Sequence, residues 1–108
     1  MLEYIRSSDR IEIMLTGEID HHSAEQMRQE IEHLLMDKSL RLLTLNFDSV
    51  TFMDSSGVGM VIGRYKTMKE RGGEVQAVCL HPPVDRIFRL AGLHRIITTA
   101  QDNRRKEA

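Results

Sequence analysis

Apolar and polar residues alternate along the first part of the chain, and further on the apolar residues recur three or four positions apart. Alternation is typical of half-buried strands, whereas the wider spacing is typical of helices with one apolar side. Residues 2–6 and 11–16 therefore predict two short strands, separated by a loop-forming cluster at 7–10. We expect these strands to pair antiparallel as a hairpin.

The rest of the chain alternates predicted helices and strands. Ser23 resembles the start of a capping box, and the apolar stripe behind it predicts a helix over residues 23–36. Further strands are predicted at 41–47, 74–80 and 95–99, and further helices at 56–71 and 82–91. The order ββαβαβαβ is typical of an α/β domain with right-handed crossovers. We expect a mostly parallel sheet that follows an N-terminal antiparallel strand pair.

Length and charge narrow the class of protein. The chain has 108 residues, of which 41% are hydrophobic and 29% charged, and its formal net charge is −1. This length suits one domain with a single core, which we assign to residues 1–100, followed by a polar tail at 101–108. The charge balance gives no reason to expect nucleic acid or a membrane as the main partner. Without a basic or long apolar leader, the expected location is the cytoplasm.

Residues 51–59, Thr-Phe-Met-Asp-Ser-Ser-Gly-Val-Gly, place an aspartate and two serines where a predicted strand gives way to a predicted helix. The first turn of a helix has unpaired backbone N–H groups and the positive end of the helix dipole. Such an end can hold a phosphate, either bound or attached to a side chain. The residues alone leave Ser55 and Ser56 as equal candidates for that role.

Three enzyme classes could use a segment of this kind. Neither serine has the flanking glycines of a nucleophile elbow, and no P-loop motif is present, so a serine hydrolase and a P-loop nucleotide hydrolase do not fit. An aspartyl phosphoacceptor of the receiver type is a better competitor, because Asp48 and Asp54 follow a parallel-strand candidate. Its magnesium carboxylates would have to be Glu18 and Asp20, and these lie at the exit of the hairpin. We therefore do not favour a receiver domain.

The adjacent histidines His21 and His22 invite a metal hypothesis. Neighbouring side chains on a regular element point in different directions, and no Cys or further His falls at a ligand spacing. A polar loop that enters the helix at Ser23 is the better interpretation. Cys79 lies in an apolar run and is expected to be a buried thiol that acts as a small hydrophobe. We expect neither a metal nor a cofactor.

The helix after the serines is predicted to turn one side to the core, formed by Val58, Val61, Ile62 and Tyr65. Its other side would then carry Ser56, Gly59, Met60, Gly63 and Thr67. Two interior glycines weaken a helix by about 1 kcal/mol each relative to alanine, so their presence suggests close approach of another backbone. The approaching backbone could belong to a partner or to this domain's own loops.

Two segments, residues 52–66 and 15–25, resemble the anti-sigma factor antagonists of the STAS domain family, most closely those of the sporulation branch. The resemblance covers nearly the whole chain up to Ile97. It implies a single STAS-type domain with βα superhelical crossovers and no catalytic activity. The implied partners are an anti-sigma factor with ATP-dependent serine kinase activity, of the histidine-kinase-like ATPase fold, and a metal-dependent serine phosphatase.

The resemblance also assigns roles to residues. It implies that Ser55, which follows the motif aspartate, is phosphorylated, and that the unphosphorylated protein captures the anti-sigma factor and so frees the sigma factor. The expected partner-binding residues are Glu18, Asp20, Asp54, Ser55, Ser56, Gly57, Gly59, Met60, Gly63 and Arg64. The chain departs from the family pattern at 101–108, which is short and polar where a final amphipathic helix is usual. A small-molecule or nucleotide-sensing module that uses the same helix end is the alternative.

Overall fold

The computed structural model describes residues 1–100, which form a five-stranded sheet with a helix after each parallel strand except the last. The elements in chain order are β1 (Glu3–Ser7), β2 (Arg10–Ile19), α1 (His21–Leu34), β3 (Leu42–Met53), α2 (Ser55–Glu70), β4 (Glu74–Val78), α3 (Pro82–Leu90) and β5 (Thr98–Ala100). A single 3-10 turn, Leu93–Arg95, lies between α3 and β5. The predicted tail at 101–108 falls outside the described residues.

The strands lie side by side in the order of the sequence, β1-β2-β3-β4-β5. β1 pairs antiparallel with β2, and every later neighbour is parallel. This arrangement confirms the predicted α/β class and the N-terminal hairpin. Because right-handed crossovers that always step in the same direction bring the helices to one face of a sheet, α1 packs against α2 and α2 contacts α3.

The core lies between this helix layer and one face of the sheet. Alternate residues of the two central strands supply it, and all of them are fully buried: Ile11, Ile13, Leu15, Leu43, Leu45 and Phe47. Phe47 meets Phe88 of α3 edge to face, with ring centroids 5.4 Å apart. The aromatic pair fixes α3 against β3.

The opposite face of the sheet is polar and is tied together by side-chain hydrogen bonds. The amide of Asn46 donates to Glu12 at 2.8 Å, and the amide of Gln76 donates to Thr44 at 2.9 Å. These two bonds connect β2, β3 and β4. None of the helices formed by residues 1–100 is long and apolar enough to cross a membrane.

Several predicted element boundaries were wrong, each for a local reason. β3 continues past residue 47 to Met53, because a shift in register lets Val50 and Met53 pair with the end of β2 and become buried. β4 ends at Val78, since Cys79 adopts a left-handed φ of 62°; its predicted burial is confirmed. The last strand starts only at Thr98, after the 3-10 turn that follows Gly92.

Candidate functional site at two helix N-termini

Two helices begin next to each other at one edge of the sheet. The last residues of β2 and β3, Ile19 and Met53, are register partners in the parallel pair, and the next residues are Asp20 and Asp54. The backbone N–H of Asp54 donates to the carbonyl of Ile19 at 3.1 Å, which joins the two strand ends. The predicted closeness of the Asp20 loop to the Asp54 loop is therefore confirmed.

Each of these aspartates caps the helix that follows it, and the two caps have nearly the same backbone geometry. Asp20 has φ −106° and ψ −171°, and Asp54 has φ −106° and ψ −170°. The carboxylate of Asp54 accepts from the backbone N–H of Ser56 at 2.8 Å. Capping of this kind pairs a backbone donor that the helix itself leaves free.

The cap of α1 is a complete capping box. The carboxylate of Asp20 accepts from the Ser23 backbone N–H at 2.9 Å, and the Ser23 hydroxyl accepts from the Asp20 backbone N–H at 3.0 Å. The bond from the Ser23 backbone is the main cause that lowers the pKa of Asp20 below 3.8. The prediction that Ser23 itself begins the helix was wrong, because Asp20 offers a carboxylate at the position where the strand ends.

The two serines differ in exposure. Ser55 is the first residue of α2 and is exposed, whereas Ser56 is half-buried and its backbone N–H is engaged by Asp54. A hydroxyl must reach the active site of an enzyme to be modified, so these exposures favour Ser55 over Ser56. Glu18, near the end of β2, and Asp20, just after that strand, are also exposed.

Gly57 sits where α2 comes closest to the strand ends. A Cβ at this position would lie 2.3 Å from Met53 Cγ, 2.6 Å from Met53 Sδ and 3.0 Å from Ile19 Cγ2. Such distances are far below van der Waals contact, so only glycine lets the first turn of α2 rest on β2 and β3. Gly57 is buried and supports the site from beneath, which corrects its expected place among the partner-binding residues.

The predicted orientation of α2 was wrong by roughly a quarter turn, given 100° per residue. The buried side is formed by Gly57, Met60, Val61, Arg64 and Met68, while Val58, Ile62 and Tyr65 are only partly buried. Met60, expected to be exposed, is 4% exposed, and Arg64 is 6% exposed. Both side chains are therefore mostly covered by the fold, and both line a small cleft between α1 and α2.

Gly59 and Gly63 do face outward. A Cβ added at either position would have no atom of residues 1–100 within 4 Å, apart from the helix itself and its chain neighbours. The alternative that these glycines pack against loops of the same domain was therefore wrong within the described part of the chain. Together with Ser55 they form a bare strip, which we call the glycine strip (Ser55, Gly59 and Gly63).

Arg64 is buried because a residue of another helix pairs with it. Its Nη2 donates to Glu32 of α1 at 2.9 Å, and Glu32 also accepts from Arg28 at 2.9 Å. Arg28 in turn makes a salt bridge to Glu25, which lowers the pKa of Glu25 to about 2. Burial lowers the pKa of Arg64, although a guanidinium stays cationic at neutral pH.

Arg71 makes a second tie between the same two helices. Its Nη2 donates to the carbonyl of Leu35 at 2.8 Å and its Nη1 to the carbonyl of Asp37 at 3.2 Å. Arg71 follows the last residue of α2, and its acceptors lie just beyond the last residue of α1. The guanidinium therefore supplies a donor to the Leu35 carbonyl at the end of α1, while the Asp37 carbonyl also accepts from the backbone N–H of Leu40 at 3.3 Å.

Sequence reasoning missed Phe52 as a member of this edge. It is 48% exposed and is the register partner of Glu18. Strict alternation along β3 would place Phe52 on the buried side with Val50, but the shift in register between Gly17 and Glu18 leaves both Thr51 and Phe52 exposed. No group of three or more His, Cys, Asp and Glu residues within 1–100 is arranged to hold a metal ion.

Comparison with known proteins places this geometry in a family. The model of the STAS domain family matches residues 4–106. An anti-sigma F factor antagonist of Paenibacillus polymyxa is 34% identical over 85 residues, which cover 79% of this chain and 73% of that protein.

Two solved structures of the anti-sigma factor antagonist SpoIIAA are also similar. The unphosphorylated form is 29% identical with a TM-score of 0.82, covering 99% of this chain and 94% of that chain. The phosphorylated form, from Bacillus, is 28% identical with a TM-score of 0.74, covering 99% of this chain and 97% of that chain. The five-stranded sheet, the helix layer and the match across nearly all of its residues lead to one conclusion: the chain belongs to the STAS domain family.

Proposed function

We propose that this protein is an anti-sigma factor antagonist that is switched by phosphorylation of Ser55. In its unphosphorylated form it binds an anti-sigma factor that is also a serine kinase, and the sigma factor is thereby released. The observation that carries the proposal is the exposed Ser55 at the capped start of α2, in line with the outward-facing Gly59 and Gly63. The protein acts by binding and performs no catalysis of its own.

The binding surface consists of the glycine strip and the neighbouring end of β2. Backbone without side chains at Gly59 and Gly63 allows a partner to approach α2 closely. Exposed Glu18 and Asp20 favour cationic partner residues, and Phe52 adds an exposed aromatic ring of the type enriched in interfaces.

The switch follows from charge and position. A phosphoserine adds about −1.5 to −2 charges at neutral pH. At the N-terminus of α2 this charge is compatible with the helix dipole, so the domain stays folded. Within a closely packed interface the phosphate must lose its hydrating water, which costs free energy. It also lies near Asp20 and Asp54, whose negative charges repel it. The complex therefore dissociates.

The similar antagonists support the partner class. The relative from Paenibacillus is named for its action on an anti-sigma F factor, and SpoIIAA has been solved in a phosphorylated form. By analogy we propose an ATP-dependent kinase as the binding partner, a metal-dependent serine phosphatase that restores Ser55, a role in sporulation transcription, and a cytoplasmic location.

The experiment is a phosphorylation assay with matched serine variants. Wild type, Ser55→Ala and Ser56→Ala are incubated with the cognate anti-sigma factor and ATP, and the peptide that contains residues 55 and 56 is analysed by mass spectrometry. We expect one phosphate on wild type and Ser56→Ala, and none on Ser55→Ala. Stoichiometric phosphate on Ser55→Ala would refute the assignment. Saturable nucleotide binding by the protein alone, without any response to the kinase, would instead support a sensing module.

A further inference from the structure

Arg64 has hydrogen-bonding capacity that the fold does not use. Its side chain is 7% exposed and its Nη2 is paired with Glu32, but Nε and Nη1 have no acceptor among residues 1–100. Leaving a buried donor unpaired costs free energy, and the cost is larger when the donor is charged. A group that supplies acceptor atoms at this place would remove that cost.

Arg64 lines a cleft between α1 and α2. The cleft has a volume of about 220 Å³ and is lined by, among others, His21 and Arg28 of α1 and Ser56, Gly59 and Arg64 of α2. Helical side chains lean toward the N-terminus of their helix, and the other α2 residues that line the cleft, Ser56, Gly59 and Met60, all precede Arg64. Two positive dipole ends therefore flank the mouth of the cleft.

The surrounding charges indicate which acceptor fits. Arg28 is neutralised by salt bridges to Glu25 and Glu32, and Arg64 shares Glu32 with it. The charges of these two arginines and two glutamates nearly cancel. The site therefore favours binding of a singly charged anion over binding of a phosphate dianion beside Glu25. A carboxylate also matches the planar guanidinium, which donates to two oxygens at once.

We propose that the cleft between α1 and α2 is a carboxylate-binding site in which Arg64 Nε and Nη1 donate to the ligand. The carboxylate can come from a small free acid or from an acidic side chain of a docked protein. The second source rests on the proposed function, because the anti-sigma factor would be that protein. Gly59 keeps the cleft open beside the glycine strip, so one partner can cover both.

The test uses NMR of the isotope-labelled wild-type chain, with the Nε–H signal of Arg64 assigned by through-bond correlation to its own backbone. Sodium acetate is titrated against sodium chloride at constant ionic strength. Arg89, which is exposed and paired with Asp85 at 2.9 Å, serves as the matched control signal. We expect the Arg64 signal to shift saturably with acetate while the Arg89 signal does not. Arg64→Lys should weaken acetate binding by at least about tenfold, because lysine lacks the two-pronged geometry.

A second arm adds the anti-sigma factor instead of acetate. If acetate has no effect but the Arg64 Nε–H signal moves when the complex forms, the carboxylate is a side chain of the partner. Binding of acetate without any binding of the anti-sigma factor would support the site and refute the proposed function. An Arg64 signal that responds to neither, or that responds equally to chloride, would overturn the proposal. Because these signals are measured on the wild-type protein, the test does not depend on whether Arg64→Lys folds.

Discussion

Gly57 and Gly63 offer a matched test of how α2 is seated, because both are helical glycines and only one lies against other atoms. Alanine at Gly57 would place its Cβ 2.3 Å from Met53 Cγ, whereas alanine at Gly63 would meet nothing within 4 Å. We therefore expect Gly57→Ala to destabilise the protein and Gly63→Ala to stabilise it.

The magnitudes follow from two effects. Replacing a helical glycine by alanine gains about 0.5–1 kcal/mol, which is the whole effect expected at Gly63. Overpacking a core costs about 1–3 kcal/mol, and at Gly57 this cost applies because Met53 and Ile19 are themselves buried. The gain from helix formation is common to both variants, so the free energies of unfolding should differ by about 1–3 kcal/mol.

Urea denaturation followed by circular dichroism measures the two free energies, and thermal melting checks them. A difference of 1 kcal/mol corresponds to about 4–8 °C in Tm for a domain of this size. If Gly57→Ala melts at or above the temperature of Gly63→Ala, the first turn of α2 does not rest on the strand ends as described, and the steric argument fails.

Four further outcomes are expected. Asp54→Ala should lower the free energy of unfolding by about 1 kcal/mol through loss of the α2 cap, and an unchanged urea midpoint would contradict that role. Ser55→Asp should weaken anti-sigma factor binding in calorimetry with little change in Tm, since an acidic group at a helix start contributes only about 0.3–1 kcal/mol; wild-type affinity would argue against the charge switch. Gly63→Leu should fold normally yet lose binding, with Lys69→Leu on the same helix as the control, and retained affinity would remove the glycine strip from the interface. The pKa of Asp20 is lowered in the folded state, so its ionised carboxylate stabilises the fold above pH 3.8, and this stabilisation is lost as the pH falls through the pKa of the folded state. A carboxyl ¹³C NMR titration that gave a pKa at or above 3.8 would refute the capping bond.

The class of fold could be predicted because strand alternation and helical spacing are local signals. The hairpin, the parallel sheet and the order of elements were all confirmed. Boundaries were less accurate where tertiary contacts decide them. β3 is extended to Met53 by its pairing with β2; Val50, Thr51 and Phe52 favour a strand by propensity, but Asp48 interrupts the run and hid the continuation.

The position of the site was predicted from the sequence, but the side of α2 that is buried was not. The parallel-sheet rule correctly brought Asp20 to the edge where Asp54 begins α2. The predicted orientation of α2 was wrong because hydrophobicity identifies neither a buried glycine nor a buried arginine. Gly57 is interior only because the strand ends lie against it, and Arg64 is interior only because Glu32 of α1 is there to pair with it.

The tie that Arg71 makes between the ends of α1 and α2 affects how fast the protein can recognise a partner. With Arg71 bound to carbonyls beyond α1, and Arg64 bound to Glu32 between the helices, α1 and α2 are joined at two points. The two helix starts then keep a fixed spacing before any encounter. A partner therefore meets a preorganised surface and loses little ordering entropy on this side of the interface. Differences in affinity between phosphorylation states should accordingly appear mainly in the dissociation rate, since the shape presented for association is the same.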